Sequence, residues 1–298
     1  LKVVEGDIVY PRLGIKAKND IDELISQVEL IFHSAALADI TIPLEPIRKI
    51  NVEGTRNLLD FALECKKSGR LQKVNHISTS YVIGTKKDCD FSEDMLDVGQ
   101  GFHNTYEQTK YEAEILVREY LGKGLNISIF RPSMIIGDSK EGKSTDFRLF
   151  YTPLRFFSQE IFSEFPADMD CCQNVINVDT VANAILLLGE KAEEKVYHLV
   201  SPACESIGFL LDLASDYFGF SLPNFVPADK FDIRKLTPVQ RIMAEPYMPY
   251  FNYTARFISD QTQRVLAGYN FIWPAINKEN LTKSLSYCEK RRFIKKRR

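Results

Sequence analysis

The chain has 298 residues, with a hydrophobic content of 45% and a charged content of 26%, as in a globular protein of one large or two smaller domains. Its net charge of −2 and pI of about 6.2 exclude the broad basic field of a nucleic-acid-binding protein, so no nucleic-acid partner is expected. No run of about 18 apolar residues is present, so we expect no transmembrane segment.

The first part of the chain alternates between strand and helix patterns. LKVVEGD predicts a buried strand that ends at Gly6 and Asp7, DIDELISQ a short helix, and VELIFHSAA the next strand. Residues 45–68 predict a long amphipathic helix, because their apolar side chains recur at helical spacing. KVNHIS predicts a strand, which a loop to about residue 104 connects to a helix from Thr105.

The strand NISIFRP closes this series, and the alternation predicts an α/β fold with a mostly parallel sheet. Further on, NVINVDTVANAILLLGE predicts a short strand and a helix, KVYHLVSP a strand, and SIGFLLDLASDYFG a helix. Residues 221–298 are rich in proline and aromatic residues, and the terminal EKRRFIKKRR predicts a charged, frayed helix end.

The six cysteines are scattered and form no C-x-x-C pair, and the chain has only four histidines. A structural zinc site is therefore not expected. Scattered cysteines in a chain of this size are typical of a reducing compartment, which predicts free thiols and a cytoplasmic protein.

The helix in NTYEQTKYEAEILVREYL carries the most informative pattern. Thr105 and Gln108 match a T-x-x-Q capping box, which predicts that the helix begins near Tyr106. Tyr106 and Lys110 are then one turn apart on one face. An ammonium beside a phenol favours the phenolate, so we expect Lys110 to lower the pKa of Tyr106 into the range of a proton donor. The alternative is a chance Y-x-x-x-K on a helix surface.

A second polar group follows the strand KVNHI, which runs directly into STSYVIG. Ser78, Thr79 and Ser80 then lie at the carboxyl end of a parallel strand, where open α/β sheets bind ligands. A hydroxyl there could donate a hydrogen bond to a substrate carbonyl oxygen. The alternative is a turn that only caps the strand.

Residues 137–144, GDSKEGKS, match the G-x-x-x-x-G-K-S pattern of a phosphate-binding loop. Such a loop normally follows the first strand of a nucleotide-binding unit. Here it comes after several strands that belong to a different fold. We therefore interpret Lys143 and Ser144 as incidental, and a nucleoside triphosphatase remains a minor alternative.

Taken in order, HSAA, INVEGTRNLLDFA, HISTSYV, YEQTK and RPSMIIG resemble the extended short-chain dehydrogenase/reductases, above all their thioester reductase and fatty acyl-CoA reductase branch, the male-sterility type. YFNYTARFISDQTQRVL and LSYCEKRRFIKK are also similar to that branch. The resemblance implies a Rossmann-like, doubly wound parallel sheet in residues 1–140. Residues 141–298 would mainly form a smaller substrate lobe, with 174–203 returning to the Rossmann part.

The resemblance also implies site residues. Tyr106 is the proton donor, and Lys110 tunes it and holds the nicotinamide ribose. Thr79 takes the catalytic serine/threonine position, and Asn51 supports Lys110 through water. The cofactor-binding residues, which include Tyr106 and Lys110, are further Asp7, Ile8, Ser34, Ala35, Ala36, Pro132 and Ser133. Asp7 would accept from the adenine amino group, with a turn cap as the alternative, and no metal is implied.

The chain departs from the family because no G-x-x-G-x-x-G follows its first predicted strand, where a helix N-terminus would hold the pyrophosphate. LKVVEGD matches the family's third strand, which implies that the first two strands are missing. The strand VELIFHS would then have an open edge. We therefore expect this chain alone to bind NADPH weakly and to be inactive.

The function implied by the resemblance is NAD(P)H-dependent reduction of an acyl thioester, on coenzyme A or a phosphopantetheinyl carrier domain, to an aldehyde or alcohol. NADPH is expected over NADH from the branch alone. The alternatives are another extended short-chain reductase or epimerase, for a sugar-nucleotide, steroid or flavonoid, and a catalytically silent dinucleotide-binding protein. The basic residues 290–298 predict either weak contact with an anionic membrane surface or a solvated tail.

Overall fold

The computed structural model of the chain describes residues 2–191, 193 and 195–297. Its helices are α1 (Lys18–Gln27), α2 (Leu44–Arg48), α3 (Gly54–Lys67), α4 (Thr105–Gly122), α5 (Tyr151–Ser158), α6 (Val178–Lys191), α7 (Ile207–Phe218), α8 (Pro238–Ala244), α9 (Asp260–Ala267) and α10 (Lys278–Lys290). Its strands are β1 (Leu30–His33), β2 (Lys73–Ile77), β3 (Asp90–Phe91), β4 (Ile127–Pro132), β5 (Met134–Ile136), β6 (Glu164–Pro166), β7 (Cys172–Gln173), β8 (Val175–Asn177), β9 (Val196–Leu199), β10 (Glu205–Ser206), β11 (Asn224–Val226) and β12 (Arg256–Phe257). Within the described ranges, no helix combines the length and the apolar character needed to cross a bilayer.

The main sheet is parallel and has the strand order β1-β2-β4-β9. Helices cover both of its faces, and the strand β4 is therefore buried along its whole length. Ile127 and Ile129 of β4 pack with residues of α3 and α4, whereas Phe130 packs with residues of α6 and α9. The predicted α/β fold with a parallel sheet is confirmed.

The predicted strand LKVVEGD is wrong. Leu1 lies outside the described residues, residues 2–6 form no regular element, and Val3 is 87% exposed. The strand β1 lies at the edge of the described sheet, with Phe32 41% exposed. Because no strand of the described residues lies beside residues 2–6, no ladder of hydrogen bonds holds them extended.

The long helix predicted over residues 45–68 is confirmed, with one local change. Between α2 and α3 the helix passes through a π-helical turn, Lys49–Glu53. Such turns are rare and often occur at functional sites. The turn contains Asn51, one of the residues singled out from the sequence.

The capping box predicted at Thr105 is wrong. Helix α4 begins at Thr105, and its cap is Asn104, whose side chain accepts a hydrogen bond from the Glu107 amide at 3.0 Å. The Thr105 hydroxyl instead donates to the Ile42 carbonyl at 2.6 Å, and Gln108 donates to Glu112. The loop that follows β1 therefore competes for the threonine hydroxyl.

The remaining strands form two-stranded sheets, β10-β7, β11-β6, β12-β3 and β5-β8. The predicted frayed helix end is wrong for residues 289–297, which fold back onto the rest of the chain. Arg298 lies outside the described residues. Phe293 stacks on Phe147 with ring centroids 4.9 Å apart, Ile294 is 2% exposed, and the Arg297 amide donates to the Phe218 carbonyl at 2.7 Å. Burial of the apolar side chains of Phe293 and Ile294 therefore stabilises the folded-back tail, although the neighbouring charges favour solvent.

Two of the six cysteines are paired, which corrects the expectation of free thiols. Cys172 and Cys204 form a disulfide with their Cα atoms 5.7 Å apart. The antiparallel pairing of β7 with β10 brings together positions that are separated by 32 residues. No local spacing motif could have indicated this pair.

Candidate active site

A cavity of about 570 Å³ opens where the strands β2 and β4 end. Open α/β sheets bind their ligands at this edge. Four of the predicted site residues line it, Thr79, Tyr106, Pro132 and Ser133, and so do Lys143 and Ser144 of the glycine-containing loop. The fold thus brings together three segments that are far apart in the chain.

Thr79 is presented by a short 3₁₀ turn, Ser80–Ile83, that follows β2 directly. Its Oγ1 accepts from the Tyr81 amide at 3.3 Å and lies 3.4 Å from the Pro132 carbonyl oxygen, to which it can donate. Gly84 ends the turn with φ of 58°, and a Cβ there would lie 1.9 Å from the Gly101 carbonyl oxygen. The turn therefore requires glycine at this position.

The structure distinguishes Thr79 from its two neighbours. The Ser78 hydroxyl donates to Glu114 at 2.9 Å, and the Ser80 hydroxyl donates to the Pro132 carbonyl at 3.2 Å. Neither serine lines the cavity, whereas Thr79 does. Thr79, preferred from the sequence, stays the predicted catalytic hydroxyl residue.

Tyr106 lies in the first turn of α4, but the expected lowering of its pKa is not found. Burial raises the pKa of Tyr106 to about 12, and a hydrogen bond with Thr79 opposes this only in part. Lys110 donates to the Ile77 carbonyl at 2.7 Å, and burial lowers its own pKa to about 8. Desolvation of the phenol is the largest cause of the raised pKa, and it is Thr79 and Arg148, and not Lys110, that oppose it.

Asn51 connects the loop after β1 to helix α4. Its Oδ1 accepts from the Leu37 amide at 2.8 Å, and its Nδ2 donates to the Leu37 carbonyl at 3.1 Å and to Thr109 at 3.0 Å. In the described residues these contacts do not include a direct hydrogen bond to Lys110. Asn51 thus fixes the wall of the cavity next to Tyr106.

A buried ion pair that sequence reasoning missed anchors α4 to the sheet. Arg131 of β4 contacts Glu114 at 2.5 Å, and both side chains are 0% exposed. Burial alone would raise the pKa of Glu114, but Arg131, Arg118 and Ser78 outweigh it and lower that pKa. An arginine inside an otherwise apolar strand was the available signal, since arginine is almost never buried unless it is paired.

The cavity fits the nicotinamide end of a dinucleotide. The buried Ser133 hydroxyl has no hydrogen-bond partner among the described residues, and a carboxamide in the cavity would satisfy it. Ser34, Ala35 and Ala36 follow β1 and are exposed. The described part of the chain has no glycine-rich turn leading from β1 into a helix N-terminus, so no such cradle for a pyrophosphate lies within it.

The structure favours the turn-cap alternative for Asp7. Asp7 is exposed, and its Oδ1 accepts from the Val9 amide at 3.1 Å. The neighbouring Ile8 packs on Gly54 of α3, where a Cβ would lie 3.0 Å from its side chain. The Ile8 carbonyl accepts from Asn57 at 2.9 Å.

The loop at residues 137–144 is not a phosphate loop in this structure. The Asp138 carboxylate accepts from the amides of Lys140, Glu141 and Lys143 at 3.0, 2.7 and 3.0 Å, and thus occupies the place of an anion. A Cβ on Gly142 would lie 2.2 Å from the Lys283 backbone. That glycine allows close packing on α10.

Comparison with known proteins identifies a matching family and relatives of similar sequence. The family described as "Male sterility protein" matches residues 1–185. A component of the linear gramicidin synthase of Brevibacillus parabrevis is 24% identical over 301 residues, covering 95% of this chain and 6% of that protein. "Probable fatty acyl-CoA reductase 4" of Arabidopsis thaliana is 26% identical over 273 residues, covering 72% of this chain and 55% of that protein.

Among solved structures, the terminal R domain from the myxalamid PKS-NRPS biosynthetic pathway has a TM-score of 0.83 at 25% identity. The match covers 99% of this chain and 76% of that domain. The chain therefore follows the fold of that domain over nearly its whole length, but it spans about half of the plant protein and a small part of the bacterial synthase.

Proposed function

The chain belongs to the male sterility protein family, in the thioester reductase branch of the extended short-chain dehydrogenase/reductases, and on this premise we propose that it reduces an acyl thioester to an aldehyde or alcohol. The proposal rests on the observation that Thr79, Tyr106 and Ser133 line the same cavity. The acyl group would be carried by coenzyme A or by a phosphopantetheinyl carrier domain.

A bound nicotinamide cofactor would supply the hydride for this reaction. Tyr106 stays protonated at neutral pH, because burial raises the pKa of its phenol to about 12, and it gives this proton to the substrate carbonyl oxygen. Thr79 donates a hydrogen bond to the same oxygen, and such donors in a dry site are worth about 3–4 kcal/mol. Lys110, with its lowered pKa, returns a proton towards Tyr106.

The proposed binding of the cofactor is supported by residues other than those that transfer protons. Ser133 and Pro132 support the nicotinamide end, and Asn51 fixes the wall of the cavity. The further cofactor residues implied by the family resemblance are Ile8, Ser34, Ala35 and Ala36, whereas Asp7, which the resemblance also implies, is occupied as a turn cap. We extend the proposal to NADPH over NADH and to the division into a Rossmann part (residues 1–140 and 174–203) and a substrate lobe (the rest of 141–298). A cytoplasmic location is proposed from the family resemblance alone, because the Cys172–Cys204 disulfide argues against a reducing compartment.

An apolar recess of the C-terminal lobe supports an acyl substrate over a sugar-nucleotide. It shares Met134, Leu149, Tyr247 and Tyr250 with the cavity and continues between α5 and α7. Its free volume is only about 50 Å³ and its lining is mainly apolar, so it suits the end of a short alkyl group better than a sugar with its hydroxyl groups.

Contact of the basic tail with an anionic membrane is proposed as a weak, additional interaction. For Lys290, Arg291 and Arg292 no ion pair is found within the described residues, so their charges are free to meet anionic lipid. Co-sedimentation with phosphatidylserine vesicles tests it, and equal binding with residues 290–298 removed would contradict it.

The function is tested by NADPH oxidation in the full-length protein, with a long-chain acyl-CoA and a sugar-nucleotide as parallel substrates. We expect oxidation with the acyl-CoA and formation of free thiol. Oxidation with the sugar-nucleotide alone would favour a different extended reductase. NADPH binding without turnover of any substrate would favour the silent dinucleotide-binding protein.

A further inference from the structure

One amide side chain lies in the lining of the otherwise apolar recess. Gln173 is 7% exposed and lines the recess beside Ile207 and Leu210. Among the described residues of this lining, only Tyr247 and Tyr250 also have a polar atom in the side chain. Small-molecule sites are mainly apolar and gain their specificity from a few placed polar groups, so Gln173 has the position of such a group.

The fold holds Gln173 in this position from both sides. Gln173 belongs to the strand β7, in which successive side chains point to opposite faces, so the exposed Cys172 forms the disulfide while Gln173 points inward. Gln173 pairs with Glu205 of β10, and the Ile207 amide at the start of α7 donates to the Cys171 carbonyl at 2.9 Å. The end of the recess is therefore built around this strand.

Gln173 and Tyr81 leave one acceptor and one donor without a partner. Gln173 Nε2 donates to the Tyr81 hydroxyl oxygen at 3.0 Å. Across the described ranges, no donor reaches Gln173 Oε1, and no acceptor is found for the Tyr81 hydroxyl proton. Tyr81 lines the catalytic cavity, and Gln173 lines the recess that continues from it. A hydroxyl group matches this pair, because its single oxygen both donates and accepts.

The size of the recess limits what can enter it. Its free volume of about 50 Å³ is less than that of two water molecules at about 30 Å³ each, so neither a pantetheine arm nor a sugar fits. Gln173 and Tyr81 also border an open cavity of about 260 Å³ on the side of the disulfide. Closing the wall towards that cavity would require only the volume of the side chain, and leucine would supply it equally well.

Building on the proposed thioester reduction, we propose that Gln173 and Tyr81 select an acyl group that carries a hydroxyl on the short end or branch entering the recess. Gln173 Oε1 accepts a hydrogen bond from this hydroxyl, and the Tyr81 hydroxyl donates one to it. A methyl group in the same place leaves both protein groups unpaired and without water. A site built for a hydroxyl rejects the analogue that lacks it more strongly than an apolar pocket rejects an added methylene.

The test uses pairs of acyl-CoA substrates in which a hydroxyl replaces a methyl group, with NADPH oxidation by the full-length protein as the readout. The pairs are 3-hydroxybutanoyl-CoA with 3-methylbutanoyl-CoA, and 6-hydroxyhexanoyl-CoA with heptanoyl-CoA. The wild type should prefer the hydroxylated member of at least one pair by about 10- to 100-fold in kcat/KM. Gln173→Leu should abolish this preference by lowering kcat/KM for the hydroxylated member, while kcat/KM for the methyl member is unchanged or rises.

Gln263→Leu is the matched control for the same exchange. Gln263 lies half-buried in α9, donates to Ser259 at 2.8 Å, and lines neither the catalytic cavity nor the recess, so the preference should remain. No preference in either pair of the wild type, or an equal loss for both members in Gln173→Leu, would overturn the selection while thioester reduction stands. A wild-type protein that reduces no thioester, short or long, would overturn the proposed function itself.

Discussion

At the scale of single residues, Tyr106 is the side chain on which the proposed reaction depends most. Tyr106→Phe should lower turnover of the thioester by about 10²–10⁴-fold, since it removes the general acid. NADPH affinity should change little because the ring remains. Steady-state kinetics and NADPH fluorescence titration measure the two quantities.

Tyr111→Phe on the same helix is the control for Tyr106. Tyr111 is partly buried against Phe102 and does not line the cavity, so the loss of its hydroxyl should leave turnover unchanged. A Tyr106→Phe protein that keeps most of its activity would contradict the assignment of Tyr106.

Lys143 provides the second prediction at this scale. Lys143 lines the cavity, but its amide is already bound by the Asp138 carboxylate, and its ammonium pairs with Glu141 at 2.9 Å. Lys143→Ala should therefore leave NADPH-dependent reduction nearly unchanged, and calorimetry should detect no ATP binding before or after the change. Tight ATP binding that Lys143→Ala abolishes would restore the phosphate-loop hypothesis.

At the scale of elements, the ion pair between Arg131 and Glu114 joins strand β4 to helix α4, which carries Tyr106 and Lys110. Arg131→Met removes the fully buried partner of the Glu114 carboxylate and leaves it only the partly exposed Arg118, so we expect the free energy of unfolding to fall by about 3 kcal/mol. Urea denaturation measures this loss.

Two further variants separate the ion pair from its surroundings. Arg118→Met removes a partly exposed partner of the same carboxylate and should cost less than about 1 kcal/mol. Replacing both members, as Glu114→Leu with Arg131→Met, should recover much of the stability, because no unpaired charge remains. An Arg131→Met protein as stable as the wild type would show that the pair does not hold α4 in place.

Helix boundaries also show the limit of local patterns at this scale. The alternation of apolar residues predicted α3, α4, α6 and α7 within a few residues. The cap of α4 was missed because Thr105 is bound by Ile42 from a distant loop, which leaves the cap to Asn104. Competition for a hydroxyl group is not visible in the sequence.

At the scale of the whole molecule, three buried histidines make the fold sensitive to acid. Burial lowers the pKa of His33 and of His198 to about 3, and that of His76 well below its ordinary value. In the unfolded chain each titrates near 6.5. The unfolded state therefore binds more protons as the pH falls, and stability is lost from about pH 6.5 downward.

The slope approaches about 1.4 kcal/mol per pH unit for each histidine well below pH 6.5 and averages about 1 kcal/mol per unit between pH 7 and pH 5, or roughly 3 kcal/mol per unit for three. Urea denaturation between pH 7 and pH 5 measures it, above the range in which most carboxylates titrate. His33→Gln stays neutral and should reduce the slope by about a third. A free energy of unfolding that is constant over this range would contradict the prediction.

The sequence by itself determined the order of strands and helices, the parallel sheet and the family, because these follow from local periodicity and from motifs in a fixed order. The family resemblance indicated Thr79, Tyr106 and Ser133. For Thr79, its position after a parallel strand pointed to the same edge of the sheet. Tertiary structure alone decided which partners a segment finds. It left residues 2–6 unpaired, joined Cys172 to Cys204, and folded the basic tail back onto the lobe.

The chemistry of the site likewise depends on contacts that only the folded chain makes. The spacing of Tyr106 and Lys110 was readable in the sequence, but the pKa of the phenol depends on how deeply the fold buries it. Likewise, nothing local connects Glu107 to Tyr250, which lies 143 residues away, and only the packing of the C-terminal lobe brings the two within hydrogen-bonding distance. Desolvation and long-range contacts belong to the folded chain, whereas periodicity and motif order are already present in the unfolded one.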